Sequence, residues 1–573
     1  MPISRREMLQ AGFTGVALAA SARFLVAESG AQGAPSKYQD TFARLDQFVE
    51  QYMRDMNSPG MTLVLADRDG VQRVTAYGLG DLDRQRELKT DELFHIGSIS
   101  KSFIALSLLQ LREEGKLDLD RPIVEYLPWF RIDSRFAPIT THHLLTHTSG
   151  LAGEQLPVFP SDPAYRHLAA YAPGEHFHYN NMAFAALGYL AWTLDGREAP
   201  EVMRHRILEP LGMTQSAPAI TLDLRERLAR SYSIFQSDRP FPRMGRLSEA
   251  PAIIVTDADG SIAAPARDMG AYLQMLARGG EGPRGRLVSE ESFRLFSHPH
   301  VLAKDFGPSA SYGYGISVDK LDGHTLLRHT GGMVSFMSAL MVDIESGMGA
   351  FASINAQQGY RPNPVVQFAI RLMRAAQEHK ALPAVPAADP PARIENAGDY
   401  EGEYRAPSGA KLEFVTRDMQ LFLVHGGARV SVERTAHPDQ FIARHPDFAR
   451  FLLVFARKNE KDPKSAVTEV GWGPDWYAGS AYDGPTDFSY PKAWDSYVGH
   501  YRNENPWVQS LHVVLRKGRL MLEGVIPLEA VGDLFYLRDE EHNPEWVRFG
   551  EVVNGKCMRI KYSGEDLWRV ATT

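Results

Sequence analysis

The sequence predicts an α+β chain, with one mixed sheet packed by helices followed by two small antiparallel β-barrel-like domains. Three observations carry this expectation. Strand-like runs stand at both ends of a region of about 340 residues, with helical periodicity between them. A Pro- and Ala-rich stretch, "KALPAVPAADPPARIENA", then breaks the pattern as a linker does. Beyond it the texture is short alternating strands with an internal echo: "DYEGEYR" at Asp399–Arg405 returns as "SYVGHYR" at Ser496–Arg502, 97 residues on. "KLEFVTRDMQLFLV" from Lys411 parallels "SLHVVLRKGRLMLE" from Ser510 in the same manner.

In chain order, apolar spacing predicts a helix from Tyr38 to Met56, and "MTLVLADRDGVQRVTAYG" reads as two strands joined at Asp69-Gly70. A long apolar helix follows Ser98 and stops at Gly115, a natural C-cap. Strand-like runs return in "SYGYGISVD", "HTLLRHTGG", "FMSALMVDI" and "GMGAFASINA", and a helix from Asn363 to His379 closes the region. The resulting division is 1–34 for a leader and tail, 35–380 for the large domain, 381–394 for the linker, and 395–485 and 486–573 for the two barrels.

Bulk properties narrow the function classes. With 573 residues the chain exceeds one core, and 44% hydrophobic with 23% charged residues is ordinary for a globular protein. A net charge of −8 argues against nucleic acid as a partner, and no transmembrane span follows the N-terminus. Paired Arg5 and Arg6 before a mildly apolar stretch resemble a twin-arginine export signal, with small-residue cleavage points at Ala20–Ala22 or Leu25–Ala27, so a periplasmic or secreted location is expected. The single cysteine, Cys557, excludes an intramolecular disulfide and reads as a small buried strand residue. Oligomeric state is not legible.

Chemistry centres on "FHIGSISKSFIALSLLQL". Ser98 and Lys101 lie three apart where an apolar helix begins, so they share a face one turn apart, and the lysine can reach the hydroxyl. A bare Ser-x-x-Lys also occurs at Ser317–Lys320 and Ser489–Lys492, so the tetrapeptide alone decides nothing. Its company does. Tyr179-Asn180-Asn181 enters a helix 78 residues after Lys101, and His329-Thr330-Gly331-Gly332 ends a strand-like run 148 residues after Asn181. Decoys at Tyr501–Asn503 and His425–Gly427 fall in the repeated tail and in the wrong order. His142, His143 and His147 in "TTHHLLTHTSG" lack the third ligand and Glu base of a helical zinc site, so no metal and no cofactor are expected. No Gly-x-Ser-x-Gly elbow exists.

The ordered set Ser-x-x-Lys, Tyr-x-Asn, His-x-Gly resembles the serine β-lactamase-like superfamily, which holds class C β-lactamases, penicillin-binding proteins, D-aminopeptidases and esterases. The resemblance spans roughly Thr41 to Met373 and includes "ILEPLGMTQS" and "GSIAAPARDMGAYLQML". It implies a β-lactamase-like catalytic domain in which Ser98 forms an acyl-enzyme and Lys101 and Tyr179 move protons, with His329 as a further catalytic-motif residue. It implies that Asn181, Thr330 and Gly331 hold substrate and that the Ser98 and Gly332 N–H groups make the oxyanion hole. One departure bears on substrate: His329 stands where lactamases carry lysine, and a largely neutral imidazole binds a carboxylate less well. Catalytic domain plus two barrels is the layout of bacterial D-aminopeptidases, with related peptidases that cleave linearised cyclic peptides. Three expectations follow for an enzyme or protein acting on small peptides or esters: such a peptidase, a carboxylesterase, or an inert binder of peptide or cell-wall fragments.

Overall fold

The computed structural model describes residues 26–28, 38–153, 158–159, 165–234, 238–240, 245–357, 360–540 and 542–571. The paired arginines of the leader lie outside them; of the two candidate cleavage points only Val26 and Ala27 are described, in a short edge strand, Val26–Glu28. The large domain is built on a ten-stranded sheet. Its centre runs Gly70–Asp81, Gly60–Asp67, Met348–Ile354, Met337–Asp343, His324–Gly332 and Ser317–Leu321, each antiparallel to the next. Among the described residues every pairing in this sheet is antiparallel; parallel pairing is found in small sheets, as between Ala356–Gln357 and Tyr232–Ser233. The three strands Gly60–Asp67, Met337–Asp343 and Met348–Ile354 are buried along their whole length, which is why they read as continuous apolar runs.

A sheet covered on both faces needs two cores, and two are present. Helices Gln39–Met56 and Asn363–Gln377 pack on one face around Leu45, Phe48, Phe368 and Met373. The other face carries Ala266–Ala277 and, beyond it, Ser100–Glu113 and Asn181–Asp195 in the larger core. Gln39–Met56 ends at Asn57 in the left-handed region (φ 53), a standard helix stop. The helix expected to run to His379 ends at Gln377, because His379 itself turns left-handed (φ 53). Among the described residues no helix is long and apolar enough to cross a membrane.

Two closed eight-stranded antiparallel barrels follow, from Gly402–Arg405 to Asp475–Gly479 and from Gly499–Arg502 to Glu565–Val570. The sequence echo has a structural cause. Tyr404 and its counterpart Tyr501 are both buried, and each hydroxyl donates to the carbonyl four residues earlier, of Tyr400 (3.1 Å) and Tyr497 (2.6 Å). The same hydrogen bond ties the first strand of each barrel to the end of a short 3-10 turn, at Tyr400 in Ala397–Tyr400 or at Tyr497, the residue that caps Lys492–Ser496. Cys557 is fully buried in the second barrel.

Candidate active site

Ser98 sits in a 3-10 turn, Gly97–Ile99, that feeds directly into the helix Ser100–Glu113. That helix is buried from Ser100 to Leu109 and reaches the surface only in its last turn, so Lys101 is carried into the interior with no exposed surface. A buried ammonium must be hydrogen-bonded to persist. Lys101 Nζ is: it lies 2.6 Å from Asn181 Oδ1, 2.9 Å from the Asp259 carbonyl oxygen and 3.2 Å from Ser98 Oγ. Two of these partners are carbonyl oxygens that can only accept. An amine that has lost one proton still has two to give them, and its lone pair then faces the serine hydroxyl. The site therefore has the geometry for proton transfer between Ser98 and Lys101.

Asn181 opens the helix Asn181–Asp195, whose N-cap is the middle residue of the Tyr-x-Asn triplet: Asn180 Oδ1 accepts from Ala183 N at 2.9 Å. The cap fixes where the chain enters the helix and so where Asn181 and Tyr179 point. The Tyr179 ring lies 5.0 Å from Lys101 Nζ, and its hydroxyl makes no hydrogen bond among the described residues. His147, set aside above as a metal ligand, has another task. The structure makes it the clamp of this segment. Its carbonyl accepts from His178 N (2.8 Å), its Nδ1 accepts from Asn180 N (3.0 Å), and its ring packs 4.3 Å from that of Tyr179. Burial, with Lys101, His329 and His178 adding repulsion, holds the imidazole well below its usual pKa, so Nδ1 stays an acceptor. His143 is instead spent on a capping box with Thr140 and His142 on the Tyr314 hydroxyl. Replacing His147 by Phe keeps a ring but loses the acceptor, and kcat on an activated ester is expected to fall about 10²-fold, the scale of small misplacements. His147→Asn keeps an acceptor and suits the left-handed backbone there (φ 57), so it is expected to lose less.

The third motif ends the strand His324–Gly332 beside the serine turn. Approach is so close that a Cβ on Gly331 would fall 1.9 Å from the Ile96 carbonyl oxygen, so only glycine fits. His329, expected among the catalytic groups, is brought to the cleft but has no ring nitrogen to offer. Nδ1 bonds the Thr330 carbonyl (2.7 Å) and Nε2 the Tyr312 hydroxyl (2.9 Å). Burial, then Lys101, depresses its pKa to about 3, so it is a neutral wall residue at working pH.

The cleft has two lobes that share Ser98, Asn181, Gly332, Met333 and Trp507. One, about 460 Å³, is bounded by Ile254–Asp257, Asp259 and Gly260; the other, about 550 Å³, by Tyr179, His329, Thr330, Asp305 and Arg361. The second barrel closes both, with Trp507, Asn505 and Glu565 in the first and Trp507, Leu537, Asp539, Glu540 and Glu545 in the second. It is anchored beside the tyrosine segment. Buried Glu545 accepts from Gly153 N (2.8 Å) and meets His178 Nε2 (3.1 Å), Tyr165 donates to the Ser563 carbonyl (2.7 Å), and His176 stacks on His542 at 3.7 Å. Nothing in the tail sequence signals these contacts.

Comparison with known proteins agrees with this geometry. The family model described as Beta-lactamase matches residues 45–375, more than half of the 573-residue chain. Esterase EstB of Burkholderia gladioli is 32% identical over 196 residues, which are 30% of this chain and 50% of the esterase. The putative penicillin-binding protein PbpX of Bacillus subtilis (strain 168) is 28% identical over 281 residues, 48% of this chain and 65% of PbpX. The chain thus spans between half and two thirds of these curated relatives. The structure of the octameric penicillin-binding protein homologue from Pyrococcus abyssi superposes with a TM-score of 0.54 at 23% identity, covering 76% of this chain and 99% of that one, a likeness of fold. The match across the sheet, the serine helix and the strand of the third motif means that the chain belongs to the β-lactamase family of serine hydrolases.

Proposed function

We propose that the protein is an exported serine hydrolase that cleaves amide bonds of small peptides through a Ser98 acyl-enzyme, in the manner of a D-aminopeptidase or related peptidase. Ser98 Oγ attacks the carbonyl while Lys101 takes its proton, and the Ser98 and Gly332 N–H groups receive the developing oxyanion. Tyr179 gives its phenol proton to the leaving amine as the C–N bond breaks and is reprotonated from the Lys101 ammonium; water then attacks the ester, losing its proton to Lys101, which passes it to Ser98 as the acyl C–O bond breaks. Asn181 holds Lys101 and the substrate amide in register, and Thr330 and Gly331 shape the strand edge along which substrate lies. The amino-terminal twin-arginine-type segment supports a periplasmic or secreted location.

The single observation that carries the peptidase reading is the charge of the lobe away from Tyr179. Tyr179 lines only one lobe, so the leaving group departs there and the acyl residue occupies the other. That acyl lobe is lined by Asp257, Asp259 and Glu565, with no basic side chain among its lining residues. It suits a residue that carries a free ammonium, as the amino-terminal residue of a peptide does. Burial pushes the Asp259 carboxyl up to about 6 against the pull of Lys101, so it is anionic at neutral pH and loses its charge in mild acid.

The test is a panel of D- and L-aminoacyl p-nitroanilides, their N-acetylated forms and p-nitrophenyl esters. Expected are hydrolysis of unblocked D-substrates well above L-substrates, weak turnover after N-acetylation, and a KM for unblocked substrates that rises as pH drops below about 6. Fast ester turnover indifferent to acetylation would instead favour a carboxylesterase, a reading supported by the 32% identity with EstB. Failure of a fluorophosphonate to label Ser98 would leave the inert binder.

A further inference from the structure

We propose that Arg361 forms a carboxylate subsite for the leaving group, so that the preferred substrates are unblocked dipeptides. This rests on the Ser98 reading above and adds the chemistry of the residue beyond the scissile bond. Loss of the family's motif lysine leaves a neutral group at that position: His329 is uncharged, and both its ring nitrogens are bonded within the protein. The charge returns from a different element. Arg361 lines the Tyr179 lobe, exposed to it, and its Nη2 lies 3.1 Å from where a Cβ on Gly332 would stand. The guanidinium therefore hangs over the strand end beside the reacting carbonyl.

Among the described residues that guanidinium has no ion pair or hydrogen bond. Arg328, the other arginine of the lobe, is by contrast held by Asp319 at 2.7 Å. The acidic groups of the lobe do not neutralise Arg361. Glu540 interacts with Asp305, His178 and Asp539 and not with Arg361, whose electrostatic neighbours are Tyr179 and His329. An arginine keeps its proton at any working pH. Asn363 lines the same lobe at the start of the 15-residue helix Asn363–Gln377, so the backbone at that end adds a field that favours an anion.

Reach fixes the length of the substrate. A leaving α-amino acid bears its carboxylate two bonds from the nitrogen that departs, next to the scissile carbonyl and hence next to Gly332. Each further residue carries the terminal carboxylate about 3.5 Å farther away. A guanidinium this close to Gly332 thus selects a single leaving residue, and the acidic lining of the acyl lobe favours a free ammonium close to Ser98, as a dipeptide places it.

The experiment compares, on the full chain, dipeptides with a free carboxylate against the same dipeptides as C-terminal amides. In the wild type the acid is expected to exceed the amide in kcat/KM by about tenfold or more, given the strength of bidentate Arg–carboxylate pairs. In Arg361→Gln the ratio is expected to fall to about one, and in Arg361→Lys to lie between, because lysine keeps the charge and loses the fork. An amide cleaved as well as the acid by the wild type, a ratio unmoved in Arg361→Gln, or a Ser98-labelled enzyme that cleaves neither would overturn the subsite. Labelling of Ser98 by a fluorophosphonate is read in the same samples. Unlabelled wild type means that the acyl-enzyme reading has failed, whereas labelled enzyme without an acid preference means that only the Arg361 subsite has.

Discussion

Ser98→Ala is expected to lower kcat by at least about 10⁴-fold on every substrate the wild type hydrolyses, because no other hydroxyl can take its place and units of this kind fail as a whole. The residue stands at a turn that glycine contacts hold rigid on both sides, with Gly97 at φ 55 and Gly331 against the Ile96 carbonyl. The nearest serines along the helix are committed elsewhere: Ser100 accepts from Ile262 N, and Ser102 donates to the Ile99 carbonyl. Folding is expected to survive. Lys101 loses one of three acceptors and keeps the two carbonyl oxygens, a change of about 1 kcal/mol. Steady-state kinetics together with a thermal melt checks this, and a variant with more than a few per cent of wild-type turnover would remove Ser98 from the mechanism.

Lys101→Met is the second large effect, with an expected loss of about 10³-fold in kcat, the range of a general base. Methionine fills a similar volume but offers the Ser98 hydroxyl no proton acceptor. Stability moves little or rises, since the substitution leaves Asn181 Oδ1 and the Asp259 carbonyl without a donor but also removes a fully buried cation. That divergence is the useful signature. A collapse of activity with an intact melt assigns chemistry to the amine, whereas parallel losses assign it only a structural part. Burst kinetics with a p-nitrophenyl ester shows further that acylation itself is slowed.

Much of this was legible in the chain because the informative features are local. An apolar helical run announces its own packing, and with it the shared face of Ser98 and Lys101 one turn apart, though not that Lys101 would be fully buried. A Tyr-x-Asn whose middle residue is Asn180 announces a helix cap. The barrels were visible because Tyr404 and Tyr501 recur with their neighbours at one spacing. What stayed hidden depends on distant pairings. His147 looks like a ligand in its own segment, and its task appears only when residues 178–180 fold across it. His329 reads as a free imidazole until Tyr312, two strands away in the sheet, takes its second nitrogen. Arg361 belongs to no motif, and its place over Gly332 is set by the fold of the sheet.

The docking of Glu545, Ser563 and Trp507 onto the catalytic domain also has a bearing on timing. During synthesis the reactive alcohol leaves the ribosome some four hundred residues ahead of the walls that enclose it. Until those late segments have folded back, the serine has its amine partner but no bounded chamber. The chamber around Ser98 is therefore completed only when the last barrel has been made and has folded back onto the large domain.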